Sequence, residues 1–160
     1  MFGMFRHILA PVDLAPADGE SSTVPAVHAA IELAKLENAK LTLLHVHEPQ
    51  PYFYPAAFPV PTGDLDQAVR QASQVALDAE LERVRKEVPS AEALHRPGAP
   101  WSTIVETAQE IGADLIVVST HGRRGIPRAL LGSVAEKVVR MSTVPVLTVH
   151  RGEPAKETAK

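Results

Sequence analysis

Apolar residues recur along the chain with two alternating periods. Phe5 to Val12 (FRHILAPV) is a short apolar run closed by Asp13, and it predicts a first strand with Pro11 near its end. From about Thr23 to Glu37, residues Val27, Ala30, Ile31 and Ala34 fall at three- and four-residue spacings, the mark of a helix with one apolar stripe. Pro25 fits only in its first turn. Lys40 to His47 (KLTLLHVH) predicts a second strand, dense in Leu, Val and Thr. Asp64, with Gln67 three residues on, predicts the cap of a long second helix whose stripe is Leu65, Ala68, Ala72, Val75 and Ala79. Pro89 stops it. Ala91 to Arg96 reads as a third strand, and a third helix starts at Pro100, carries Trp101, Ile104, Val105, Ala108 and Ile111 on one face, and stops at Gly112. Asp114 to Ser119, Ser133 to about Ser142 and Pro145 to Val149 complete the pattern as strand, helix and strand.

Five strands alternating with four helices, with continuous apolar runs in the first, fourth and fifth strands, predict a parallel sheet covered on both faces. With right-handed crossovers this is an open, doubly wound α/β fold. Ligands of such sheets sit at the carboxyl ends of strands, where the strand order reverses, which directs attention to the loops after Val12, His47 and Ser119. No internal repeat or linker divides the chain. Residues 1–150 are expected to form one domain and 151–160 (RGEPAKETAK) a polar tail.

Composition narrows the chemistry. The 160 residues hold no Cys, which removes disulfides, iron–sulfur clusters, thiolate zinc and cysteine nucleophiles. The net charge of −3 lacks the basic excess of a nonspecific DNA or RNA binder, so no nucleic acid partner is expected. No apolar run approaches the ~18 residues of a membrane span, and the first residues lack a signal-peptide pattern. The expectation is a cytoplasmic protein. With one Trp, two Tyr and four Phe, the core must be built from Ala, Val, Ile and Leu.

Val118 to Val134 (VSTHGRRGIPRALLGSV) carries the strongest chemical signal. It joins the fourth strand to the fourth helix, and Gly122 and Gly125 permit backbone that brings N–H groups close to a phosphate. Gly132 and Ser133 open the helix, whose free N–H groups and positive dipole end favour an anion. Ser133 with Glu136 also reads as a capping box, which serves a plain helix start equally well. The Lys-Ser or Lys-Thr of a Walker loop is missing after Gly132, and the first strand is not followed by a Rossmann Gly-x-Gly-x-x-Gly.

At these residues the chain resembles the universal stress protein family. The likeness rests on Ile8 to Asp13 (ILAPVD), Leu43 to Val46 (LLHV), Gly112 to Gly122 (GADLIVVSTHG), and Leu131 to Arg140 (LGSVAEKVVR) leading to Pro145-Val-Leu, and it spans Phe5 to Val149. It implies a flavodoxin-like, adenine nucleotide alpha hydrolase-like sheet of order 3-2-1-4-5 and a homodimer joined along the fifth strand. The family's nucleotide-binding branch carries Gly-x-x-Gly, nine residues, then Gly-Ser or Gly-Thr. Here the second Gly is Gly122, Arg123 to Leu131 are the nine, and Gly132-Ser133 closes the motif, while Ser119 stands at the first Gly. The resemblance thus implies a site for ATP, with Mg²⁺ entering through the phosphates. Pro11, Val12 and Asp13 would face the adenine and ribose, and Val46 would pack on the base. Val118, Ser119, Gly122, Gly132, Ser133 and Val134 would surround the ribose and phosphates, with His121 ordering the loop.

No general base is evident beside this loop, so binding rather than catalysis is expected, with at most slow hydrolysis. Ser119 also leaves open a family member without tight nucleotide binding, acting as a dimeric interaction module. An adenylyl-transferring enzyme would need a His-x-Gly-His or Ser-Gly-Gly-x-Asp-Ser near the first strand, and the chain has neither. Asp13, His121 and Ser133 lack the nucleophile elbow of a hydrolase. Arg123, Arg124 and Arg128 could neutralise phosphates or simply be solvated. His45 and His47 share one strand face without a visible third ligand, so no metal site is expected. Residues 49–61 (PQPYFYPAAFPVP) hold five Pro and four aromatics, which forbids regular structure; the aromatics could pack on the subunit's own sheet end, line the cleft after the second strand or meet a protein partner, and a lid or contact surface is the leading expectation.

Overall fold

The computed structural model of the chain describes residues 3–14, 24–49, 62–120 and 131–150. Nine elements follow in strict alternation: β1 (His7–Pro11), α1 (Val24–Glu37), β2 (Lys40–His47), α2 (Thr62–Arg85), β3 (Glu92–Pro97), α3 (Pro100–Glu110), β4 (Leu115–Ser119), α4 (Ser133–Met141) and β5 (Val146–Val149). The strands form one parallel sheet of order β3-β2-β1-β4-β5, as the resemblance implied.

Strand alternation divides the core between the two faces of this sheet. Ile8 and Ala10 of β1, Leu41 and Leu43 of β2, and Leu115 and Val117 of β4 pack with Val27, Ala30, Ile31 and Ala34 of α1 and Leu77 and Val84 of α2. Leu9, Leu44, Ile116 and Val118 point the other way, onto Ile104 and Ala108 of α3 and Ala135 and Val138 of α4. Trp101, on the apolar stripe of α3, is half-buried against this second cluster, with the Lys137 ammonium 5.9 Å from its ring centroid.

Two helix ends use the same device. Gly112 has φ +67°, and beyond α3 the Ala113 N–H donates to the Ala108 carbonyl (2.9 Å) while the Gly112 N–H donates to Gln109 (3.2 Å). This pair of bonds turns the chain out of the helix through a left-handed residue, as the glycine predicted. Asn38 (φ 52°) does the same after α1, where the Ala39 N–H donates to Ala34 (2.9 Å).

Two expectations are corrected. The stripe Leu65, Ala68, Ala72, Val75, Ala79 is exposed throughout; α2 instead buries Leu77 and Val84 and half-buries Leu81. The alanines are there as helix formers, and a helix of 24 residues, about 36 Å long, outruns the strands it covers. The helix also begins at Thr62, so Asp64 lies within its first turn rather than before it. Asp64's side chain, most of the 49–61 segment and the 151–160 tail lie outside the described residues. No helix among the described residues is long and apolar enough to cross a membrane.

Candidate nucleotide site

The chain runs from β1 outward to β2 and β3, then crosses to β4 and β5 on the other side, so the order reverses between β1 and β4. A crevice at the carboxyl ends of strands belongs at this point. Pro11 ends β1 opposite Leu44 of β2, and the Val12 N–H continues the ladder by donating to the Leu44 carbonyl at 2.8 Å. Val12 is buried; Asp13, one residue beyond, is half-buried. Val46, half-buried near the end of β2, and Val118, buried near the end of β4, both pack on the α3/α4 face. They offer apolar walls at one edge of the sheet.

The link from β4 to α4 is closed by its own backbone. Ser119, half-buried, ends β4 opposite Val149 of β5. Thr120 is fully buried; its N–H donates to the Val149 carbonyl (3.1 Å), and its Oγ1 lies 3.1 Å from Nδ1 of His150. Its carbonyl in turn accepts the Gly132 N–H at 2.7 Å. That bond sets the amino end of α4 beside the carboxyl end of β4. The α4 cap is Gly132 itself (φ −60°, ψ 152°), without a side-chain cap. Ser133 is therefore the first helical residue, and the expected Ser133–Glu136 capping box does not form; the Glu136 carboxylate takes Arg140 one turn on. The first intrahelical bond runs from the Glu136 N–H to the Gly132 carbonyl (2.9 Å). The N–H groups of Ser133, Val134 and Ala135 thus have no acceptor within the helix. With the exposed Ser133 hydroxyl, they form a donor set suited to a phosphate.

Predicted site residues Pro11, Val12, Asp13, Val46, Val118, Ser119, Gly132, Ser133 and Val134 therefore occupy one end of the sheet around its switch point. His121 and Gly122, with the arginines at 123, 124 and 128, lie outside the described residues.

The protein-family model of the universal stress proteins matches residues 4–150. The chain belongs to the universal stress protein family. Universal stress protein A homolog 1 of Coxiella burnetii is 34% identical over 150 residues, covering 93% of this chain and 99% of that one. Universal stress protein YxiE of Bacillus subtilis is 32% identical, over 92% and 100% of the two chains. Among solved structures, universal stress protein UspA from Lactobacillus plantarum superposes with a TM-score of 0.73 at 27% identity, covering 90% of this chain and 97% of that one. A universal stress protein solved in complex with cAMP has a TM-score of 0.62 at 29% identity, covering 92% and 98%.

This family member carries a further constellation that sequence spacing did not reveal. His45 and His47 meet His95 of the neighbouring strand: the His45 and His95 rings are stacked, 5.3 Å between centroids and 10° apart, and His47 lies 6.2 Å from His95. Burial, then His45, His47 and Arg70, holds the His95 imidazole below its ordinary range. The parity of His45 and His47 was legible. That His95 sits directly across from His45 is a matter of register between β2 and β3.

Proposed function

We propose that this universal stress protein binds an adenine nucleotide, ATP, at the β1/β4 switch point and works as a nucleotide-linked regulator or stress-protection factor. The observation that carries this reading is the Gly132 to Thr120 hydrogen bond, which brings the open amino end of α4 against the end of β4. The phosphates take the free N–H groups of the first turn and the Ser133 hydroxyl; Val46 and Val118 flank the base, and Asp13 accepts from ribose hydroxyls or the exocyclic amine. Mg²⁺ enters through the phosphates, since it keeps most of its own waters. The cAMP complex of a relative supports a nucleotide as ligand. In this reading the protein acts by binding rather than turnover, with at most slow hydrolysis, as the sequence beside the phosphate loop suggests.

Two copies pair along β5, an edge strand whose Leu147 is 39% exposed. Edge strands of this kind are templates for a second chain.

Denaturing the purified protein and identifying released nucleotide, followed by calorimetric titration with ATP, tests the site. Gly132→Asp places a carboxylate at the phosphate position and is expected to lower ATP affinity by at least about a hundredfold, since a like charge there costs several kcal/mol. Equal affinity in the variant would place the phosphates elsewhere. No saturable heat with millimolar ATP would refute nucleotide binding and leave the dimeric interaction module.

A further inference from the structure

β1 is held unevenly at the end that meets the candidate site. Its register with β4 runs only to Leu9–Ile116, whereas with β2 it continues to Pro11–Leu44. Pro11 has no N–H to give to either neighbour. The chain therefore leaves β4 before it leaves β2, which opens the crevice at the switch point and makes β2 the strand that places Val12 and Asp13. Two bonds do this. The Val12 N–H donates to the Leu44 carbonyl at 2.8 Å, and the Val12 carbonyl faces Nδ1 of His45 at 3.1 Å. A carbonyl can only accept, so Nδ1 carries the proton and donates. Both residues are buried, Val12 6% and His45 7% exposed. The His45 ring is stacked on His95, 5.3 Å between centroids, so its plane is fixed from β3.

We propose that His45 is a positioning residue of the nucleotide site, fixing the end of β1 through the Val12 carbonyl so that Asp13 meets the adenosine half of the ligand. The proposal rests on the nucleotide reading above and adds a residue that acts from behind the sheet. Strand alternation puts His45 on the face of Leu41 and Leu43, against α1 and α2, while Val46 and Val118 lie on the α3/α4 face. Its effect therefore passes through the backbone of Val12. Without the ring N–H, the buried Val12 carbonyl loses this donor, and relief comes from turning residues 12 and 13 toward the crevice, which carries the Asp13 carboxylate out of place. The phosphate half is set independently, by the Gly132 to Thr120 bond on the β4 side. Loss of His45 thus weakens the adenosine end selectively. Only an N–H at this point is required, so a side-chain amide can take its place.

Calorimetric titrations of the full chain with ATP and with inorganic tripolyphosphate test this role in wild type, His45→Phe and His45→Asn. Phe keeps a ring to stack on His95 and has no donor; Asn drops the ring and keeps a donor at about the reach of Nδ1. His45→Phe is expected to lower ATP affinity about tenfold, the size of one net hydrogen bond, and to leave tripolyphosphate affinity unchanged. His45→Asn is expected to recover most of the ATP affinity. Should His45→Phe fail to fold by circular dichroism, His45→Leu replaces it with the same expectation. Wild-type ATP affinity in the variant without a donor, an equal loss for ATP and tripolyphosphate, or no recovery in His45→Asn would overturn the positioning role alone. Absence of ATP binding to the wild type would overturn the nucleotide reading beneath it.

Discussion

Asp114 precedes β4 by one residue, yet it organises β1. Its carboxylate accepts the N–H of Arg6 (2.9 and 3.1 Å) and the N–H of His7 (2.9 Å), fixing where the first strand enters the sheet. Asp114→Ala leaves these donors to water or unpaired, and urea unfolding is expected to show a loss of about 1–3 kcal/mol. Histidines set the acid side of stability. Burial and Lys40 hold His7 below the ordinary imidazole value, and burial with His45, His47 and Arg70 does the same to His95. The unfolded chain therefore binds more protons below about pH 6.5, so stability is full above that value and falls as pH drops through it. Thermal melts should show a lower midpoint at about pH 5 than at about pH 7.5, with a smaller difference in the double variant His7→Gln, His95→Phe. The lowered carboxyls of Glu92 and Glu110, held down by Lys40 and Arg96, act only at more acid pH. At this scale the sequence was partly legible. The positions of Asp13 after β1 and Ser133 at the start of α4 were readable from the pattern, whereas the roles of Asp114 and Thr120 depend on backbone groups that no spacing rule identifies.

Each strand and helix predicted from periodicity is present, because β-branched runs and capped amphipathic stretches are local signals. Gly112 is such a signal: with φ +67° and nothing of the described protein within 4 Å of where a methyl group would stand, its cost of substitution is purely conformational. Gly112→Ala should lower stability by about 1–2 kcal/mol in chemical denaturation, without changing the fold. The face of α2 was misread for a physical reason. Alanine favours a helix whether or not it is buried, so a stripe of Ala at helical spacing does not declare which side meets the core. The structure separates the two sides by energy: Leu77→Ala is expected to cost about 2–5 kcal/mol, while Val75→Lys, at a site 67% exposed, should stay within about 0.5 kcal/mol. Paired denaturation curves of these two variants check the assignment. β3 is an edge strand whose residues are mostly half-buried, and the histidine cluster depends on its register with β2, which the sequence does not give.

For the whole molecule, alternation of elements was enough to predict a doubly wound sheet, and the order 3-2-1-4-5 came with the family resemblance. Pairing of two such molecules along β5 makes a direct prediction: Leu147→Glu should convert a dimer to a monomer in analytical ultracentrifugation while leaving the melting midpoint of the subunit nearly unchanged. A dimer that survives this change must use another surface. The bond from Gly132 to Thr120 has one more consequence at this scale. It links Thr120 and Gly132, on either side of residues 121–130, at 2.7 Å, so a backbone hydrogen bond ties the end of β4 to the start of α4. Loop-closure entropy changes only slowly with length, by about 0.6 kcal/mol per doubling. A variant with positions 121 to 130 replaced is expected to keep a melting midpoint near that of the wild type, which a thermal melt checks, since the closing bond lies between residues outside that stretch.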